Sequence, residues 1–237
     1  MESINIETLL KANGAVLCQS MASFTTRLNA VSAFLFDWDG VFNAGEKVGN
    51  LGSPFYEADS MGINLLRFSY WKLKGQVPVV ALLSGEKSET SLNWAKRESL
   101  HACYYKCSNK LTAFQHFLAK NDLNADQVAY FFDDVLDLGV AQAGGLRIFF
   151  PRKNNPIFNH FVVENKLADY ICSTHGGNFA LREATEFLIY ANGNFEAVIQ
   201  ERMHHTSSYK SYLVERNSNK PKYYTLVDQH VMEVAEP

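Results

Sequence analysis

Three short apolar runs, each breaking off at a polar or acidic residue, constrain this chain more than any other feature of its sequence. Residues 31–36 read VSAFLF and stop at Asp37-Trp38-Asp39-Gly40; residues 77–83 read VPVVALL and stop at Ser84-Gly85; residues 127–132 read QVAYFF and stop at Asp133-Asp134. Short runs that are almost continuously apolar, rather than alternating, are the pattern of strands buried on both faces. Helical spacing fills the gaps between them, through Ile63, Leu66, Phe68, Tyr70 and Leu73, then Leu92 and Ala95, then Leu111, Phe114, Phe117 and Leu118. Strands alternating with helices predict an α/β chain whose mostly parallel sheet carries helices on both faces. Two more short strands, over residues 101–107 and 146–150, bring the expected total to five or six, and Pro151 halts the last of them.

Residues 41–56 contain Gly45, Gly49, Gly52 and Pro54 and no helical pattern, which predicts a short β-hairpin flap above the strand edge, too small to be a cap domain. Residues 156–172 and 178–190 read as mainly helical, separated by a break at Gly176-Gly177. From Asn194 onward the chain turns polar, which predicts a helix to about Leu213 followed by a tail. The expected division is an N-terminal extension over 1–30, the α/β domain over 31–192, and a C-terminal helical extension and tail over 193–237.

With 237 residues, 47% of them apolar, the chain can bury a full core. Its 22 Lys plus Arg against 25 Asp plus Glu exclude the broadly basic surface that phosphate-backbone binding requires, so no nucleic-acid partner is expected. Glu2 and Glu7 stand where a secretory signal carries positive charge, and no apolar segment is long enough to span a bilayer; no membrane partner and a cytoplasmic location are expected. Cys18, Cys103, Cys107 and Cys172 lie at irregular intervals and read as structural thiols. The adjacent His204 and His205 point about 100° apart on a helix, so they do not form a ligand pair.

Open parallel sheets collect ligands at the carboxyl ends of their strands. Here three such ends offer Asp37 with Asp39, Ser84 with Gly85, and Asp133 with Asp134 and Asp137. Carboxylates gathered there repel one another unless a cation intervenes, and a cluster of oxygen donors suits Mg2+, with Asp37, Asp133 and the Asp39 carbonyl as ligands and Asp134 and Asp137 holding its waters. Asp37 can then attack a phosphoryl group, while Asp39, two residues on, protonates the leaving oxygen and later activates water. Ser84 and Lys110 supply a hydrogen bond and a fixed positive charge to the phosphoryl oxygens. The expected activity is Mg2+-dependent hydrolysis of a small phosphate monoester through an aspartyl-phosphate. A noncatalytic sugar-phosphate binding or assembly protein, and a phosphomutase, are the alternatives.

Asp37-x-Asp39-Gly40, Ser84-Gly85, Lys110 and Asp133-Asp134 with Asp137 together resemble the four motifs of the haloacid dehalogenase-like phosphatases, over roughly residues 31–190. DGV at 39–41, DSMGINLL at 59–66 and GGNFALRE at 176–183 resemble most the capless 3-deoxy-D-manno-octulosonate 8-phosphate phosphatases. The resemblance implies a Rossmann-like fold, a phosphorylated sugar as substrate, and a homotetramer in which a neighbouring subunit helps close each site. It also implies Asp37 as nucleophile, Asp39 as acid and base, and Asp133 as direct metal ligand. Ser84, Gly85 and Lys110 fall at phosphate-binding positions, Glu86 at a substrate-facing one, and Arg182 at a late arginine that contacts substrate or supports the oligomer. The chain departs from the family pattern in Phe42-Asn43-Ala44-Gly45, in Phe132 where glycine is usual, and in Glu86 where relatives place arginine. A carboxylate at that last position would repel an acidic sugar phosphate.

Overall fold

The computed structural model of the chain describes residues 5–49 and 52–237. The first half runs α1 (Ile6–Ala12), β1 (Val16–Leu17), α2 (Met21–Ala30), β2 (Ala33–Phe36), α3 (Glu57–Lys74), β3 (Val79–Leu83), α4 (Glu89–Arg97), β4 (Ala102–Tyr105) and α5 (Lys110–Asn121). It continues through β5 (Val128–Phe132), α6 (Leu138–Ala143), β6 (Leu146–Phe149), α7 (Pro156–Glu164), β7 (Tyr170–Ile171), α8 (Ala180–Ala191), α9 (Phe195–Met203), α10 (Ser207–Asn217), β8 (Lys222–Val227) and β9 (His230–Val234). One nine-stranded sheet has the order β1-β7-β6-β5-β2-β3-β4-β8-β9, parallel throughout except for the antiparallel strands β1 and β9 at its two edges. None of the helices among the described residues is long and apolar enough to cross a membrane.

The two-residue period of the strands divides the core between the sheet faces. Phe34, Phe36, Val80, Leu82 and Phe131 face one side, covered by α2, α3, α4, α8, α9 and α10. Leu35, Ala81, Leu83, Tyr130 and Phe132 face the other, under α5, α6 and α7. Phe132 is therefore core: it is fully buried and packs against Tyr130 and Phe149.

Both ends of the chain extend the sheet beyond the five or six strands expected. Residues 156–172, expected as mainly helical, end in β7, whose Tyr170 and Ile171 pair with β6 and with β1 of the N-terminal segment. The polar C-terminal stretch holds two helices and then the β8–β9 hairpin in place of a tail. β8 docks parallel to β4, and Tyr224 stacks on Tyr104 with ring centroids 4.7 Å apart, so two tyrosines adjacent in sequence, Tyr223 and Tyr224, bury on opposite faces of an otherwise hydrophilic segment. Polarity hid the strand because its burial depends on the neighbouring edge of β4.

Residues 41–49 and 52–56 make a loop flap without the strand ladder of a hairpin. Val48 N–H donates to the Gly52 carbonyl at 2.8 Å. Asn50 and Leu51 lie outside the described residues.

Candidate active site

After β2 the chain runs through β3 and β4 to one side, then returns to place β5 on the other side of β2. The crevice at the carboxyl ends of β2 and β5 is the switch point where such sheets bind ligands. Asp37 follows β2 and its N–H donates to Phe131 of β5 at 3.0 Å, so the register of the two strands sets Asp37 beside Asp133. Carboxylate oxygens of Asp37, Asp133 and Asp137 lie within 4.8 Å of one another, all three side chains buried.

Lys110, the first residue of α5, enters this group from the carboxyl end of β4, at the same edge of the sheet. Its Nζ is 2.6 Å from both Asp37 Oδ1 and Asp137 Oδ1. Burial alone would push the ammonium down, but the carboxylates of Asp137 and Asp37 hold it above its usual range and keep it charged. Asp137 is fully occupied by protein donors. Besides Lys110, Oδ1 accepts the Tyr130 hydroxyl at 2.5 Å, and Oδ2 accepts the N–H groups of Asp133 and Asp134 at 3.4 and 3.1 Å. Its carboxylate thus locks Lys110 to the turn that presents Asp133.

Negative charge exceeds what these donors offset. Desolvation, then repulsion from Asp137, raise the Asp37 carboxyl well above the usual range despite Lys110. The same two causes push Asp133 up to about 7, against the pull of Arg152, whose Nη2 lies 2.5 Å from Asp133 Oδ2. Gly40, at φ +90°, passes so close that a Cβ there would lie 1.9 Å from Asp133 Oδ2, which is why glycine follows Asp39.

Asp39 is held by the flap. Lys47 Nζ is 2.6 Å from Oδ2, and Ser53 donates its hydroxyl to Oδ1. The loop after Asp39 is shaped by Asn43, buried, whose Oδ1 accepts from Gly40 and Gly45 N–H and whose Nδ2 donates to the Trp38 carbonyl. Phe42 stacks on Trp38 at 4.4 Å and meets Trp94 edge-on, so the Phe-Asn-Ala-Gly departure serves this packing.

Asp37, Asp39, Gly85, Glu86, Lys110, Asp133, Asp134 and Asp137 line one cavity of about 190 Å3, together with Arg152. Ser84 is buried just behind it, accepting the Glu86 N–H on its Oγ at 3.2 Å. Arg182 does not join them: on α8 it pairs with Glu186 one turn along at 2.6 Å, and its backbone N–H donates to Asp59 Oδ1. Four residues outside the sequence-based set reach the site, namely Arg152, Tyr130, Lys47 and Ser53. Tyr130 is the one with a sequence signal, since it stands in phase with Phe132 along β5; Arg152 sits in PRKNNP, which reads simply as a polar loop.

The motifs at 59–66 and 176–183 act as scaffold for the loop that follows Asp37. A Cβ on Gly176 would lie 2.1 Å from the Gly40 carbonyl oxygen, and one on Gly177 2.6 Å from Ala44 N. Gly62 of α3 faces Thr185 of α8, and Asp59 caps the α8 N-terminus, where Phe179 offers no side-chain oxygen to do so. Glu183 accepts from Ser173 N–H and the Tyr170 hydroxyl, tying the helix to the end of β7.

No protein-family model matches the chain. A curated relative, the 3-deoxy-D-manno-octulosonate 8-phosphate phosphatase of Salmonella typhi, is 27% identical over 175 residues, covering 72% of this chain and 86% of that one. Among solved structures, the enzyme of that name from Moraxella catarrhalis, in complex with a magnesium ion, a phosphate ion and a KDO molecule, superposes with a TM-score of 0.63 at 26% identity, covering 76% of this chain and 98% of that chain. The cobalt-bound Haemophilus influenzae phosphatase of the same type gives 0.58 at 26% identity, with 71% and 93% covered. With the switch-point carboxylates and the lysine that joins them, this likeness gives the chain the haloacid dehalogenase-like α/β fold. Among proteins of that fold its likeness is to the 3-deoxy-D-manno-octulosonate 8-phosphate phosphatases, and it is a phosphatase.

Proposed function

We propose that the protein hydrolyses a small sugar phosphate in a Mg2+-dependent reaction, through an aspartyl-phosphate on Asp37. The observation that carries this reading is the pair of buried carboxylates, Asp37 and Asp133, at neighbouring strand ends with unneutralised negative charge. That charge and the all-oxygen donor set fit a hard divalent cation. Asp37 and Asp133 would hold it with the main-chain carbonyl of Asp39, Asp134 stands at the rim for its waters, and Asp137 serves by positioning because its oxygens are already taken. A bound Mg2+ would supply charge neutralisation between phosphoryl oxygens and carboxylates.

Asp37 provides the attacking oxygen. Lys110, anchored by Asp137, keeps one Asp37 oxygen engaged and sets a positive charge where negative phosphoryl oxygens approach. The backbone after Ser84, turned by the Ser84 Oγ contact to Glu86 N–H, supplies donors on the other side. Asp39 gives a proton to the leaving oxygen, then receives one from the water that opens the acyl-phosphate, with Lys47 and Ser53 setting the direction of its carboxylate.

Phosphate release from a panel of sugar phosphates, with Mg2+ and with EDTA, tests the reading. D37N should abolish turnover with Mg2+ present. Turnover by D37N equal to wild type would exclude Asp37 as nucleophile, and equal rates with EDTA would exclude the metal.

A further inference from the structure

Lys110 and Arg152 both meet the buried carboxylates of Asp37, Asp133 and Asp137, but they are held in different ways. Lys110 is buried and fixed between Asp37 and Asp137, so moving it would strand its charge and theirs in the core. Arg152 reaches in from the loop after β6 with its side chain 32% exposed, and Asp133 is its one carboxylate partner among the described residues. A change of rotamer can carry its guanidinium into water, where an arginine head is readily accommodated. It also lines the neighbouring cavity of about 800 Å3, which gives the side chain room to turn.

Arg152 occupies an approach to a carboxylate that has few. Gly40 closes another side of Asp133, since a Cβ there would lie 1.9 Å from Oδ2 and 2.5 Å from Oδ1. Arg152 Nη2 lies 2.5 Å from the same Oδ2, and Gly45 backs it so closely that a Cβ on that glycine would lie 3.2 Å from Nη2. The guanidinium acts on the carboxyl it touches, drawing the Asp133 pKa down against burial and the repulsion from Asp137. A divalent cation together with Lys110 balances the three buried carboxylates, so with such an ion bound Arg152 becomes surplus positive charge beside another cation.

Resting on the metal-dependent reading, we infer that Arg152 is an exchangeable counter-ion for Asp133: it holds that carboxylate when no divalent cation is bound and releases it when one binds, so this arginine sets the affinity of the site. Competition of this kind weakens the metal by the work of opening the ion pair. An arginine that instead held Asp133 in place for the metal would have the opposite effect on affinity.

Calorimetric titration of wild type and R152Q with MgCl2 at pH 8, together with thermal melts in EDTA and in saturating Mg2+, reads that sign. R152Q should bind Mg2+ about 10-fold more tightly, the scale of one charge-assisted contact that no longer has to be broken. In EDTA it should melt below wild type, because buried Asp133 has lost its partner, and Mg2+ should raise its melting temperature by more than it raises that of wild type. A fixed positive charge nearby would also weaken the metal, so the pair itself is observed in wild-type crystals grown with and without Mg2+, a measurement that needs no variant. With Mg2+ bound, the guanidinium should stand beyond about 4 Å from Asp133, outside ion-pair distance. Mg2+ bound with the pair intact, or R152Q binding Mg2+ no more tightly than wild type, overturns the exchange and leaves the metal reading standing. If neither protein binds Mg2+, the metal reading fails and the exchange falls with it.

Discussion

At the carboxyl edge of β2 and β5, Asp37 and Asp133 are buried beside one another with more negative charge than their donors offset. In the α3–α8 pair, Asp59 is just as buried but accepts the Arg182 N–H and has no carboxylate neighbour of comparable closeness among its named contacts. Burial lifts the carboxyl in both places, to about 6 for Asp59 and to about 7 for Asp133. In the proposed reaction the first region retains charge for chemistry at a cost in stability, whereas the second uses a carboxylate to finish a helix. Similar short motifs in one chain can thus be reactive or architectural, and what separates them is whether the carboxylate's partners leave it free to act.

Substitutions can break that division. D37N should reduce turnover by about 10,000-fold or more, as loss of a covalent nucleophile does, while leaving the metal-free protein at least as stable as wild type at pH 8, because it removes a buried charge. A denaturation midpoint well below wild type would show that Asp37 is structural as well. G176A should cost about 3 kcal/mol and displace the loop after Asp37, since its Cβ would meet the Gly40 carbonyl backbone and neither side can yield. Urea denaturation alongside activity checks it; unchanged stability would remove the scaffold role assigned to Gly176-Gly177.

Metal and pH sharpen the comparison. Asp133 and Asp37 bind protons more tightly in the folded protein than in the unfolded chain, where the ordinary value is 3.8. Each contribution to stability is full below that value and is lost as pH rises through the folded-state value, about 7 for Asp133, so the metal-free protein should weaken between pH 4 and pH 8. Saturating Mg2+ at pH 8 should restore about 2–3 kcal/mol and EDTA should remove it, with the response absent in D133N. Thermal melts that ignore Mg2+ would count against a cation between these carboxylates.

Smaller effects belong to the scaffold. D59A should cost about 1 kcal/mol, the usual value of a helix cap, with kcat/KM near wild type in chemical denaturation and rate assays run side by side. R182Q should change stability by less than about 0.5 kcal/mol, because it loses only a partly exposed pair with Glu186 on the same helix. A fall in kcat/KM for R182Q larger than that for D59A would return Arg182 to the substrate.

Much of the site was legible because its chemistry sits at abrupt ends of apolar runs. Asp37, Ser84 and Asp133 could be located without coordinates, since a buried strand must stop where charge begins. Lys110 was legible through the family pattern, and its role as the bridge between Asp37 and Asp137 needed the fold. Arg152, Tyr130, Lys47 and Ser53 carry no comparable local mark, because each works through a partner remote in sequence or across a loop.

What the linear chain determined by itself is the alternation of strands and helices and the acidic residues placed at the strand ends, both consequences of short-range periodicity and of the cost of burying charge in a strand. Only the tertiary structure decided that nine strands form the sheet, that Phe132 packs in the core while Glu86 lines the cleft, and that Arg152 pairs with Asp133. Those outcomes depend on contacts between segments distant in sequence, where edge pairing and mutual burial outweigh the preference of any single stretch.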